Sequence, residues 1–348
     1  IYKLIIMPEF RNICKTNVER YAPKERQSYR ADFSLNENPL GCSENVVQTI
    51  RSIDESELNQ YKPINQGLIE RIADYEGVKP ENIVISAGSD KCLQTIALAL
   101  FKEGQELAFP TPSFPRYRFY AKLMDLDYRE IEYSLFEGRE NESILEKASG
   151  SDHLIIDNPS NPTGYKFSSK DIEQFSHTYE GNLILDMALE DNGLDINPII
   201  EDDNFVVKSF SKFMGIAGLR LGYIVSSEEN IDKLKPIVSP FEVNSVAQIA
   251  GVEVLQDTEH LEKSKKYIKQ ERKFLKEKMD DLGVEYTESK STNMVLKLEK
   301  DIQEELKDRG INFTAGENYR GLPDNVVRIG IRSEKENRIL VEELREIL

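Results

Sequence analysis

Short, nearly unbroken apolar runs recur through the middle of the chain, and each stops at a small, polar or acidic residue before a loop. They are Asn82–Ser86, Glu106–Phe109, His153–Asp157, Asn182–Asp186, Asn204–Phe210 and Leu221–Val225. Strands that are apolar on both faces must be covered on both faces. Helical stretches such as Ser89–Phe101 separate them, so the pattern predicts an α/β fold around a mostly parallel, mixed sheet. In such sheets ligands bind beyond the carboxyl ends of the strands, so the residues that follow each run are the first candidates for chemistry.

After about Pro240 the pattern changes. Between His260 and Leu282 the chain is dense in Lys and Glu, with Leu261, Ile268, Leu275 and Leu282 seven residues apart. This spacing predicts a long helix with one apolar stripe and a solvated charged face. Strands are expected at Asn293–Leu298 and Val326–Ile331, and helices at Asp301–Arg309 and Glu334–Leu348. The organisation that follows is an N-terminal arm with part of a small domain (1–40), a large domain (41–242) and a smaller α+β domain (243–348). The arm is expected to pack on the small domain or on a second subunit.

Composition narrows the function. The net charge is −17 and the pI about 4.9, a surface that repels phosphate backbones and anionic lipid. Nucleic acid and membranes are therefore not expected as partners. The three cysteines, Cys14, Cys42 and Cys92, form no CxxC pair, and His153, His177 and His260 are scattered. Neither a disulfide framework nor a metal site is expected. No run is long and apolar enough to span a bilayer, and the opening Ile1–Phe10 does not read as a signal peptide. The cytoplasm is the expected compartment.

At the strand ends stand Gly88-Ser89-Asp90, opening a helix whose free N–H groups suit a phosphate. A plain helix cap is the alternative reading. Asn161 lies in the rigid loop Asn158–Gly164 (NPSNPTG) and could donate to a ligand oxygen. Asp186 ends a buried strand, where a carboxylate is costly unless paired, as with a protonated heteroaromatic nitrogen. Then comes Ser209-Phe210-Ser211-Lys212, followed by Ala217-Gly218-Leu219-Arg220.

The run SFSKFMGIAGLRLGY resembles the lysine segment of the class I/II aminotransferases, the fold-type-I enzymes that use pyridoxal 5′-phosphate (PLP). Within them it is similar to the histidinol-phosphate aminotransferase branch and to its neighbour, threonine-phosphate decarboxylase. LNENPLG (Leu35–Gly41), NQYKP (Asn59–Pro63), AGSD (Ala87–Asp90), PTPSFPRY (Pro110–Tyr117), NPSNPTG and VVRIGI (Val326–Ile331) resemble the other family blocks, in family order. The resemblance spans nearly the whole chain.

It implies a PLP-transferase fold of type I and a PLP-dependent aminotransferase. Such an enzyme moves an amino group between an amino acid, or a related amine such as histidinol phosphate, and a 2-oxo acid. It also implies roles. Lys212 would hold the cofactor as a Schiff base and then carry the proton. Asp186 would pair the ring nitrogen and Asn161 the ring oxygen O3′, while Phe114 would stack on the ring. Gly88, Ser89, Asp90, Ser209, Ser211 and Arg220 would hold the phosphate, with Tyr61 reaching it from the other subunit of a homodimer. Arg328 would grip a substrate carboxylate, with Asn36 and Tyr117 on the substrate side.

The sequence departs from the family in three places. Leu189 stands where a tyrosine would share O3′ with Asn161. Thr314 stands where the histidinol-phosphate enzymes carry an arginine for the substrate phosphate. Arg332 replaces a frequent glycine, with Arg320 nearby; either arginine could restore the lost charge or simply lie on the surface. Three other readings stay open: a PLP lyase of the phosphothreonine-decarboxylase type, a PLP-dependent amine oxidase or other rearranged activity arising from the changed O3′ contacts, and a non-catalytic PLP-binding regulator, which would normally carry a basic DNA-binding segment that is not evident here.

Overall fold

The computed structural model describes residues 29–136, 141–190 and 193–348. Its strands are β1 (Ala31–Asp32), β2 (Ile83–Ser86), β3 (Glu106–Thr111), β4 (Asp127–Glu132), β5 (His153–Asp157), β6 (Asn182–Asp186), β7 (Phe205–Ser209), β8 (Gly222–Val225), β9 (Asn293–Lys297), β10 (Ile311–Asn312), β11 (Thr314–Ala315) and β12 (Val326–Gly330). Seven of them form the main sheet in the order β2-β8-β7-β6-β5-β3-β4. β8 runs antiparallel to both its neighbours, and every other pairing is parallel.

That one reversal has a consequence for function. The carboxyl ends of β2, β5, β6 and β7 open on the same edge of the sheet, and the start of β8 opens there too, because Gly222 is in register with Ser86 and with Ser209. Residues just before β8 are thereby delivered to the ligand edge.

The apolar runs become the central strands for the reason the pattern suggested. β2 and β5 are buried at every position, with one layer of side chains on each face of the sheet. The main-sheet strand missed in the sequence is β4, Asp-Tyr-Arg-Glu-Ile-Glu. It lies at the sheet edge, where only Ile131 is fully buried and charged side chains face solvent.

A third core belongs to the small domain and includes Ala31, Phe33, Leu275, Met279, Met294, Leu306, Val327, Ile329 and Leu344. Helix Ser245–Gln256 packs instead on the large-domain core through Ala247, Ala250 and Val254. The long helix Thr258–Leu282 is shared: Leu261 and Ile268 serve the large core, Leu275 and Met279 the small one. The one apolar stripe thus meets two cores along the length of the helix. Burial follows the apolar stripe across the change, so composition alone did not reveal where the partner of that stripe switches. Of the expected N-terminal arm, residues 29–40 are described. There β1 pairs in parallel with β10, and Arg30 bridges to Glu343 at 2.6 Å. The rest of the arm, with Cys14, lies outside the described residues.

Candidate active site

Asp186 closes β6 and is 6% exposed. Its register partner on β5 is Asp157, so two carboxylates end adjacent strands. Asp157 accepts the Asn161 backbone N–H at 2.9 Å. Asp186 accepts the Ala188 N–H at 3.0 Å and the Tyr117 hydroxyl at 2.8 Å. Burial pushes its carboxyl up to about 6, with the charges of Asp157 and Asp90 adding to the effect, while the two hydrogen bonds oppose it. A carboxylate held this way is poised to pair with a cation, which would relieve the cost of its burial.

Two lysines flank the end of β7, and they differ in what surrounds them. Lys208 is buried against Glu76, 3.3 Å away. Lys212 lies in the turn after the strand, where Gly215 N–H closes back on its carbonyl at 3.0 Å. That turn is tight: Gly215 has φ +77°, and a Cβ there would stand 2.5 Å from the Gly41 carbonyl oxygen. Burial, joined by the nearby Arg328 and Arg220 charges and opposed by Glu37, lowers the Lys212 amine to about 8. Relative to an ordinary lysine, a shift of that size raises the neutral, nucleophilic fraction at neutral pH about 300-fold.

The phosphate-sized corner is built from backbone. Helix Ser89–Leu100 begins after Gly88, whose φ is +91°, and no side chain caps its start, so the first-turn N–H groups face the edge. Arg220 adopts a left-handed backbone, φ +58°, just before β8. Its Nη1 donates to Ser211 Oγ and to the Ala217 carbonyl, both at 3.2 Å. Its Nη2 lies so close over Gly88 that a Cβ there would be 2.7 Å away. Ser209 Oγ accepts the Ser211 N–H at 3.1 Å. The Asp90 carboxylate is taken by Arg116 at 2.7 Å and by Tyr120, so what Asp90 offers this corner is its backbone N–H. A fixed guanidinium, two hydroxyls and a helix start thus converge on a space only glycine leaves open. That is the chemistry a phosphate monoester needs, and the PLP phosphate fits it.

On the far side, Arg328 is completely buried on β12. Its guanidinium donates to Asn36 Oδ1, to the Ser34 carbonyl at 2.7 Å and to Thr314 Oγ1 at 3.1 Å. Thr314 is its register partner across β11, so whatever side chain stands at 314 lies beside this guanidinium. Asn161 is half-buried, and its Oδ1 accepts the Tyr319 hydroxyl at 3.1 Å. Phe114, also half-buried, meets Tyr117 edge-on, with ring centroids 5.9 Å apart.

Lys212, Asp186, Gly88, Ser89, Ser209, Ser211 and Arg220 all come to the one sheet edge, while Asn36 and Arg328 face it from the small-domain side. Tyr61 is apart: it is 86% exposed and packs on Phe241, centroids 5.0 Å apart. Tyr117 needs a correction. Expected on the substrate side, it is wholly buried, and its hydroxyl is committed to Asp186. It lies in the first turn of the helix Arg116–Leu123, on the face that also buries Tyr120 and Ala121. Arg320 forms a surface ion pair with Glu130 at 3.0 Å, and Arg332 lies 3.5 Å from both Glu37 and Glu336. Tyr319 went unread in the sequence, because its use depends on a contact between domains.

The family "Aminotransferase class I and II" matches residues 31–344. A histidinol-phosphate aminotransferase of Thermoanaerobacter sp. (strain X514) is 31% identical, covering 97% of this chain and 99% of that protein. One from Caldicellulosiruptor saccharolyticus is 32% identical, covering 91% of each. The crystal structure of the histidinol-phosphate aminotransferase from Clostridium acetobutylicum superposes with a TM-score of 0.82 at 25% identity, covering 91% of this chain and 98% of that one. That of the Sinorhizobium meliloti histidinol-phosphate aminotransferase in complex with pyridoxal-5′-phosphate gives 0.82 at 20% identity, covering 92% and 93%.

Proposed function

The chain belongs to the class I and II aminotransferases, and we propose that within that family it transfers the amino group of an α-amino acid to a 2-oxo acid. It is a PLP-dependent enzyme of fold type I, similar to the histidinol-phosphate aminotransferases. The observation that carries the substrate reading is the pairing at Arg328. One buried guanidinium near Lys212 matches a single carboxylate, and the residue beside it is the neutral Thr314. Histidinol phosphate is the second reading, favoured by what the relatives are named for.

Bound at the sheet edge, PLP supplies the electron sink for the pair released when the substrate Cα–H bond breaks. The protein does the rest. Lys212 Nζ would hold the cofactor covalently and would serve as the base that carries the substrate Cα proton. Asp186 would pair with the ring nitrogen and keep it protonated. Arg220, Ser209, Ser211 and the N–H groups of Ser89 and Asp90 hold the phosphate, with Gly88 leaving the space for it. Phe114 would stack on the ring, and Asn161 Nδ2 would donate to its oxygen. Arg328, kept in place by Asn36, orients the substrate so that the Cα–H bond faces Lys212.

We also propose a homodimer. Tyr61, a large exposed aromatic next to Phe241, would complete the phosphate site of the other subunit. The expected setting is amino acid biosynthesis in the cytoplasm; among the described residues no helix is long and apolar enough to cross a membrane.

Stopped-flow absorbance of the reconstituted enzyme against a panel of amino acids and amino-acid phosphates tests the substrate reading. An unphosphorylated amino acid should bleach the visible band fastest, and a 2-oxo acid should restore it. Bleaching by histidinol phosphate alone would establish the second reading, and release of CO₂ without an acceptor would identify a lyase.

A further inference from the structure

The amide of Asn161 can present either its donor or its acceptor end to the ligand edge, and the partner of the other end decides which. That partner is Tyr319. Its hydroxyl donates to Asn161 Oδ1 at 3.1 Å, and the residue is 1% exposed. The Asn161 backbone is fixed independently by Asp157. The Tyr319 side is anchored as well. Its N–H returns to the Gly316 carbonyl at 2.8 Å, Arg320 pairs with Glu130 at 3.0 Å, and Thr111 Oγ1 approaches the Arg320 carbonyl at 3.4 Å. Leu189, where the family resemblance places a second hydroxyl for the ring oxygen, is buried and apolar.

We propose that Tyr319 is a positioning residue: reaching from the small domain, its hydroxyl holds the Asn161 amide with Nδ2 toward the ring oxygen of the cofactor. This rests on Asn161 being the residue that meets that oxygen. A donor on the amide oxygen also polarises the amide, so Nδ2 becomes a stronger donor in turn. Tyr319 therefore restores, through Asn161, part of what a hydroxyl at 189 would give directly. It does so from the segment that begins at Thr314 beside Arg328, which ties the cofactor contact to the seating of the small domain.

The test is the pH titration of the visible absorption of the PLP-loaded protein. A donor on the ring oxygen stabilises its anion and loosens its hold on the proton shared with the Lys212 linkage. Losing that donor raises the midpoint. Tyr319→Phe, which keeps the ring and its packing, should raise it by about half a unit to one unit. In an Asn161→Ser background the same change should add nothing. Should Tyr319→Phe fold poorly, 3-fluorotyrosine at 319, a more acidic donor, should move the midpoint down instead. An unmoved midpoint in Tyr319→Phe, an equal shift with and without Asn161, or an upward shift with fluorotyrosine each overturns the proposal. If no colour develops at Lys212, the cofactor reading falls and takes this one with it; colour with an unresponsive midpoint sinks Tyr319 alone.

Discussion

Asp186→Asn should make the cofactor-free protein more stable while removing its capacity for catalysis. The carboxyl is buried, and its ionisation is displaced from an ordinary 3.8 to about 6. A carboxyl whose folded value is raised stabilises the fold while protonated and loses that contribution as pH rises through the folded value. Between about pH 4 and pH 7 the wild-type apoprotein therefore gives up roughly (6 − 3.8) × 1.36, or about 3 kcal/mol, from this one group. An asparagine never ionises. It can still accept one hydrogen bond and meet Tyr117 with its amide, so most of that loss should be avoided. For a chain of this size the gain is a few degrees of melting temperature. Differential scanning calorimetry of both apoproteins from pH 4 to pH 8 reads it out. The difference in melting temperature should be near zero at pH 4 and widen in favour of the variant through pH 6. A variant that melts at or below wild type at pH 8, or a difference flat across this range, would refute the reasoning. PLP-loaded protein should show the reverse order, because the cation on the ring nitrogen relieves the wild-type carboxylate and finds nothing to pair with in the variant.

Lys212→Ala should leave no pyridoxyl mark after borohydride treatment and lower turnover by about three orders of magnitude or more, checked by peptide mass mapping and steady-state rates. Because the Lys212 amine ionises near 8, mild acylation of the apoprotein at pH 7.5 should mark it ahead of the exposed lysines, an outcome read in the same maps. Gly88→Ala must place a side chain at φ +91° and 2.7 Å from Arg220; PLP affinity, followed by equilibrium dialysis, should fall at least about tenfold. Thr314→Arg sets a second guanidinium beside Arg328, and the ratio of kcat/KM for phosphorylated over carboxylated amines should rise by about one to two orders of magnitude.

Much of this site was legible because its parts sit at ends of strands. Asp186 and Lys212 each follow an apolar run, and the sheet does the rest by setting those ends side by side. Arg220 was legible from its place in the run, but the way it arrives was not. It reaches the ligand edge, beside Gly88 and Ser211, because β8 runs backwards, and nothing in Leu221–Val225 as a string tells an antiparallel strand from a parallel one. Tyr117 was misjudged because a tyrosine near a pocket reads the same whether its hydroxyl faces ligand or carboxylate. The helix starting at Arg116 turns it inward, and only burial shows that. β4 was missed because an edge strand is stabilised by its one neighbour and tolerates charge, so its sequence does not alternate strongly.

These readings share one physical basis. Asp186 and Lys212 are ionisable groups held away from water, each in an arrangement that disfavours its charge. The Lys212 amine sits low because burial and two arginines disfavour its charge; the Asp186 carboxyl sits high because burial and two carboxylates disfavour its own. A cationic ring nitrogen would relieve the Asp186 carboxylate, a phosphate would offset the Arg220 charge, and covalent attachment would remove the Lys212 ammonium altogether. Cofactor binding should therefore stabilise this fold by more than its contacts alone suggest. The apoprotein should open first at this sheet edge, so hydrogen exchange at Ser211–Gly215 and at Met187–Ala188 should slow markedly on loading, while β9 and β12 of the small domain change little. Equal protection of both regions would mean that the strain is spread through the whole molecule rather than stored at the site.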